Sequence, residues 1–283
     1  MTIVQTIVAA TDFSPASTMA VARAAQLATE HGAALCLLHA FDAGGAPAAG
    51  DAPDQAVRER LAEVASAVGA RIGAAVDVHA AAGTPLQVIG AYVGAHPGAL
   101  VVVGSREDPA VAGLGSTASA VVHAPACPVL IVRASEAGPY DKVLTAVDLR
   151  EGSLRAASFA VALFPAAHHH LLYALDAQED IDDPSGSELD EEQLRSLFES
   201  MHSEAKHDLH ELARRLSERT QHPVGAEVAD DVPARAILVG AASLPADCVV
   251  VGHHGHGTPT DSTLGSMAQH VVHSAISDVL VVP

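Results

Sequence analysis

Between Gly252 and Ser266 the chain reads GHHGHGTPTDSTLGS, a G-x2-G-x9-G-S spacing without a single lysine or arginine. Glycines at such positions adopt backbone conformations closed to other residues and let a ligand come close to the main chain. The last pair, Gly265-Ser266, opens a segment with helical patterning. The first N–H groups of a helix lack intrahelical partners, and its dipole favours negative charge there. Successive amides along such a loop form an anion nest. The chemistry on offer is phosphate binding by the main chain. The charge balance makes this choice pointed, because 15 Lys and Arg face 34 Asp and Glu, a net charge of −19. A polyanionic ligand must then be held by local dipoles and a metal ion, since the global field opposes it. The same balance argues against nucleic acid or an anionic membrane as partner.

A second group of candidates lies at the ends of short apolar runs. Asp12 and Asp148 each follow such a run and precede a helical pattern. Aspartate in that place either caps the helix or faces a ligand, and spacing leaves both readings open.

These residues are positioned by a repeated set of elements. Leu114–Val132 and Leu264–Val282 align without a gap, and ten of nineteen positions are identical. Upstream, LVVVG at 100–104 matches CVVVG at 248–252, and LCLLHAFD at 35–42 matches HHLLYALD at 169–176. The first runs also correspond, TIVAATDFS at 6–14 with KVLTAVDLR at 142–150. Four matching segments in one order mean duplication. Residues 1–133 form one copy and 141–283 the other, joined by a short Gly- and Pro-containing linker at 134–140. With 283 residues, 49% hydrophobic and 17% charged, the chain has the length for two domains and the material for buried cores.

In copy one, strands are expected at 3–10, 34–40, 75–81, 100–104 and 129–132, with helices near 14–31, 54–72, 85–95 and 116–123. Copy two repeats this, with strands near 142–147, 169–174, 224–228, 248–252 and 279–282. A long helix fills 190–220. Five strands alternating with four helices predict an α/β fold with a doubly wound parallel sheet in each copy. The runs are near-continuous Val, Ala, Leu and Ile, as strands covered on both faces should be. In such a sheet, ligands bind beyond the carboxyl ends of the strands where strand order reverses. There the glycine loop and Asp148 would border one crevice.

With its strand-one aspartate, its L-L-H/Y-A second strand and its G-x2-G-x9-G-S loop, the whole chain resembles a tandem member of the universal stress protein family. The resemblance implies two five-stranded parallel sheets of order 3-2-1-4-5, of the adenine-nucleotide alpha-hydrolase-like kind. It implies ATP, accompanied by Mg2+, as ligand where the loop is complete. Carried over by position, Ala146, Val147, Asp148 and Ala174 would meet the nucleoside. Gly252, His253, Gly255, Gly265, Ser266 and Met267 would hold ribose and phosphates. Relatives that bind ATP often have valine where Ala40 and Ala174 stand, which loosens the adenine pocket here. The resemblance also implies pairing of the two copies through their fifth strands, with a homodimer of whole chains as a further arrangement.

Copy one departs from the pattern. Its equivalent residues are Asp12, Ala40, Gly104, Gly115, Ser116 and Thr117, but Glu107 and Asp108 stand where the second glycine belongs. A carboxylate about 4 Å from a triphosphate costs about 1 to 4 kcal/mol, depending on local dielectric. Copy one is therefore expected to bind ATP weakly or not at all.

Other signals carry less. The loop 43–53 is Gly-, Ala- and Pro-rich, and residues 176–192 hold nine acids and no base, read as a solvated lead into the long helix. Of 17 histidines, His168–His170 alternate faces along a strand, and His202, His207 and His210 read as exposed helix positions. His123 and His273 end equivalent helices, where imidazolium suits the dipole. His253, His254 and His256 lie in the phosphate loop, where protonation would add positive charge. Cys36, Cys127 and Cys248 form no C-x-x-C pair and sit beside apolar runs, the pattern of buried reduced thiols in a cytoplasmic protein. The N-terminus lacks the features of a signal peptide and no run is long enough to span a membrane. No Walker lysine, G-x-S-x-G elbow or kinase signature occurs. The expectation is a non-catalytic ATP-binding stress-response or signalling module; a ligand-free interaction scaffold and a slow ATPase are the alternatives.

Overall fold

The computed structural model describes residues 3–41, 52–105, 113–123, 125–133, 138–176, 191–253 and 264–283. The chain divides into two compact units, residues 1–139 with 278–281 and 283, and residues 140–277 with 282.

In the first unit the elements alternate as β1 (Thr6–Ala10), α1 (Pro15–His31), β2 (Ala34–Phe41), α2 (Ala52–Ile72), β3 (Val76–Ala82), α3 (Pro85–Ala95), β4 (Ala99–Gly104), α4 (Ser116–His123) and β5 (Val129–Val132). Local chemistry sets the helix ends. Ser14 caps α1, its side chain accepting from the Ser17 amide, and Pro15 supplies a preset φ at the first turn. Gly32 ends α1 with φ 60°, a left-handed position that glycine fills without strain. At α3, Thr84 and Gln87 form a reciprocal capping box. Strand order is β3-β2-β1-β4-β5, all parallel, with β1 at the reversal point between β2 and β4. Ile7, Leu35, Leu37, Leu38, Leu100 and Leu130 are all but inaccessible, so the runs read as buried on both faces are so.

The second unit repeats the plan: β6 (Lys142–Ala146), α5 (Glu151–Leu163), β7 (His168–Ala174), α6 (Glu191–Ser217), β8 (Gly225–Ala229), α7 (Pro233–Ser243), β9 (Cys248–Gly252) and α8 (Ser266–Ser274). Strands β8-β7-β6-β9 are parallel, and β6 sits at the reversal point between β7 and β9.

The last strand, β10 (Asp278–Val282), corrects the expectation of two separate five-stranded parallel sheets. Val279, Leu280 and Val281 pair antiparallel with Ile131, Leu130 and Val129 of β5, and these β10 residues belong to the first unit. In the strand order β10 stands beside β5 on one side and β9 on the other, and it runs against β5. Antiparallel pairing satisfies the outer N–H and C=O groups of β5, which would otherwise be an open sheet edge. Asp278 is fully buried at the start of this strand. Its Oδ1 accepts the Arg133 amide at 2.7 Å, and its Oδ2 lies 3.7 Å from the Arg23 guanidinium.

Candidate functional site

In each copy the first strand ends in a turn with the same unusual backbone. Phe13 has φ 66° and the equivalent Leu149 φ 60°, left-handed conformations that cost a non-glycine residue about 1–3 kcal/mol. The preceding aspartate holds the turn closed. The Ser14 amide donates to Asp12 Oδ1 at 3.0 Å, and the Arg150 amide to Asp148 Oδ1 at 3.0 Å. Ser153, five residues after Asp148, donates its hydroxyl to the same oxygen at 2.6 Å. Neither aspartate is a helix N-cap: Ser14 caps α1, and Arg150 precedes α5 without a side-chain cap bond. Of the two readings open at sequence level, helix capping is thereby excluded. Burial raises the Asp12 pKa, but hydrogen bonds from Ser14 and Ser17 outweigh it and hold the carboxyl below its ordinary value.

Copy one contains a cavity of about 280 Å³ at the carboxyl edge of β1 and β4. Its lining includes Asp12, Ala40, Gly104, Gly115, Ser116 and Thr117, the six residues named for the degenerate site. Leu38, Ile89 and Val103 give it an apolar floor, while Ser105, Ser116 and Thr117 bring hydroxyls. Among the described residues, no lysine, arginine or histidine lines it. Pro85 and Ile89 of α3 were missed by motif reading; the capping box at Thr84 was the signal that placed this helix end at the crevice. Gly104 has a packing reason of its own. A Cβ there would lie 2.5 Å from the Ala16 carbonyl, so the site needs glycine whether or not a ligand approaches.

The glycine loops share one brace. In copy one the Ser105 amide donates to Val132 O at 3.0 Å, and the Ser105 carbonyl accepts from the Gly115 amide at 2.6 Å. In copy two His253 takes the same part, donating to Val282 O at 2.8 Å and accepting from the Gly265 amide at 3.0 Å. Each loop is thus tied at its base, its last glycine docked beside the residue after strand four. The Gly265 amide is spent inside the protein and is no anion donor. The first helical bond after it runs from Gln269 N–H to Gly265 O at 2.8 Å, and Gly265 offers no side-chain cap. Among the described residues, the amides of Ser266, Met267 and Ala268 at the start of α8 have no intrahelical acceptor.

Elsewhere in copy two, Ala146 pairs with Leu172 on β7, and the Val147 amide donates to Leu172 O at 3.0 Å. Ala174 pairs with Ala229 at the end of β7. Asp148, Ala174 and Gly252 share the carboxyl edge of the strands flanking the reversal point, and His253 is buried next to Gly252. Gly255, His254 and His256 lie outside the described residues, as do Glu107, Asp108 and most of the acidic segment 176–192. Among the described residues, no group of three His, Cys, Asp or Glu is gathered as for a metal.

Two copies of one domain, each with the same strained aspartate turn and the same braced loop, match the model of the Universal stress protein family over residues 4–133 and 139–283. The chain belongs to the universal stress protein family. Universal stress proteins of Mycobacterium bovis and Mycobacterium tuberculosis are 34% identical over 190 residues, covering 64% of this chain and 61% of theirs. The match thus spans less than two thirds of those relatives' length. Among solved structures, a universal stress protein from Archaeoglobus fulgidus superposes with a TM-score of 0.68 at 19% identity, covering 98% of this chain and 97% of that one. A putative universal stress protein from Pseudomonas aeruginosa gives 0.66 at 18%, covering 99% and 93%. At such identity they establish the universal stress protein fold, an α/β architecture with a parallel sheet.

Proposed function

We propose that this universal stress protein is a non-catalytic ATP-binding module for stress response or signalling, with nucleotide held mainly in the second copy. The observation that carries this reading is the start of α8: three helix-terminal amides, of Ser266, Met267 and Ala268, follow a complete G-x2-G-x9-G-S loop whose base is fixed by His253. Asp148, held at the adjoining strand end, would meet the ribose or base, and Ala146, Val147 and Ala174 would flank it. Gly252 and Gly255 would admit the phosphates. The donors are amides and hydroxyls, which suit phosphate oxygens rather than a resident metal, so Mg2+ would come with the triphosphate. Copy one keeps a cavity for the nucleoside but sets Glu107 and Asp108 in its loop, so its affinity should be lower.

Buried free thiols at Cys36, Cys127 and Cys248 fit a cytoplasmic setting, and burial pushes the Cys127 thiol up to about 11. The net charge of −19 supports neither nucleic acid nor an anionic membrane as partner. The antiparallel pairing of β5 with β10 supports intramolecular association of the two copies through their fifth strands, as a pseudo-dimer. A homodimer of whole chains would be additional to it.

Calorimetric titration with Mg-ATP tests the reading. Wild type should bind with about one site per chain, and Gly255→Glu, which imitates the copy-one loop, should weaken binding by about tenfold or more. Unchanged affinity in Gly255→Glu would overturn the assignment to copy two. A ligand-free interaction scaffold is the second reading, favoured by one observation: Gly104 and the Gly265 amide have internal reasons to be where they are. Nucleotide released from heat-denatured purified protein would exclude it.

A further inference from the structure

The first unit holds a second cavity, of about 300 Å³, between α1 and α2 and away from the glycine loop. Its walls are Val21 and Ala22 of α1 and Val64, Ala67 and Val68 of α2, closed at one end by the Phe13 ring. Two hydroxyls line it, and both are already engaged. Thr18 donates to Ser14 O at 2.9 Å, and Thr11 Oγ1 accepts the Phe13 amide at 3.1 Å. The remaining polar groups of the lining are the guanidiniums of Arg60 and Arg71. Both arginines are exposed, and among the described residues no carboxylate lines the cavity. Arg60 lies over the Phe13 ring at 4.4 Å, which leaves its in-plane N–H groups directed elsewhere. Glu59 and Glu63 are exposed on the same helix but do not line the cavity, so the charge that faces it is that of the two guanidiniums.

The duplicate carries larger aliphatic side chains at this place. Leu149 stands where Phe13 does, and Leu154, six residues after Asp148, stands where Thr18 does. Both pack on a buried cluster that includes Val147, Leu209, Leu212 and Leu216. Copy two fills the layer between α5 and α6 with leucine, and copy one leaves a cleft edged by arginine. A cleft with no occupant forgoes dispersion contacts that leucine would supply.

Spacing defines the ligand. Arg60 and Arg71 are eleven residues apart on one helix, about three turns and about 16 Å along its axis. They cannot share one carboxylate with extended side chains on the same atom pair; they mark the two ends of an apolar trough. We propose that the cleft between α1 and α2 binds an elongated small molecule with an apolar middle and an anionic group at each end, a linear dicarboxylate in chemical class. Its methylene chain lies along Val21, Val64 and Val68, and its carboxylates meet Arg60 and Arg71, guanidinium being the side chain best matched to carboxylate.

The test uses the full chain with isotope-labelled methyl groups and decanedioate as probe. Decanedioate should shift the Val21, Val64 and Val68 methyls saturably, leaving those of Leu38, Ile89 and Val103 in the first cavity unmoved. Decanoate, with one carboxylate, should bind about threefold more weakly, and Arg60→Gln with Arg71→Gln about tenfold more weakly, in line with exposed ion pairs. Thr18→Leu, which imitates copy two, should abolish the shifts. The arginine variants are surface changes that keep the fold, so the test stands even if Thr18→Leu unfolds. Absence of saturable shifts, equal binding of 1,10-diaminodecane, or an unchanged dissociation constant in the arginine double variant would each overturn the proposal.

Discussion

A carboxylate oxygen has a limited number of lone pairs, and Asp12 and Asp148 commit one oxygen to the turn before any ligand arrives. For Asp12 this has a proton-linked consequence. Its folded pKa is depressed, so the carboxylate contributes stability that is complete above the ordinary value of 3.8 and lost as pH falls through the folded pKa. Urea unfolding of wild type and Asp12→Asn should therefore differ by a constant amount from pH 8 to pH 5, with the gap shrinking below about pH 4. A gap that widens in acid would contradict this. Spacing located both aspartates but could not assign their part, because that depends on the positive φ of Phe13 and Leu149, and neither residue type announces such a backbone. Gly104 was legible as a loop glycine. Its other reason, the Ala16 carbonyl, was not, since that contact joins residues far apart in sequence.

At the scale of elements, strand and helix bounds followed closely from apolar runs and caps, because both copies state the same pattern twice. The direction of β10 did not follow. Its VLVV reads like the VLIV of β5, and nothing in a buried run says whether its neighbour is parallel. Asp278 is the residue that anchors this strand in the first unit. It is fully buried between the Arg133 amide and the Arg23 side chain, and burial lowers the Arg133 pKa against the opposing pull of Asp278. Removing one member of a buried ion pair leaves the other's charge less well balanced, so Asp278→Ala should cost about 3–5 kcal/mol. Urea denaturation followed by circular dichroism measures it. A loss below about 1 kcal/mol would mean that β10 is held by its backbone ladder and apolar side chains alone.

For the molecule as a whole, duplication was written in the sequence, and the difference between the copies was written in their loops. The net charge of −19 repels a triphosphate at long range, so any affinity must arise within a few ångströms, from main-chain dipoles together with the metal ion that accompanies the nucleotide. Among the described residues, the brace through His253 and Gly265 leaves three amides at the start of α8. Backbone amide chemical shifts of the full-length protein during a Mg-ATP titration report on them individually. The amides of Ser266, Met267 and Ala268 should move saturably with the nucleotide, while that of Gly265, already bonded to His253, keeps its protection from solvent exchange. Nucleotide binding that leaves all three unmoved, or no binding at all, would contradict phosphate capture by the main chain.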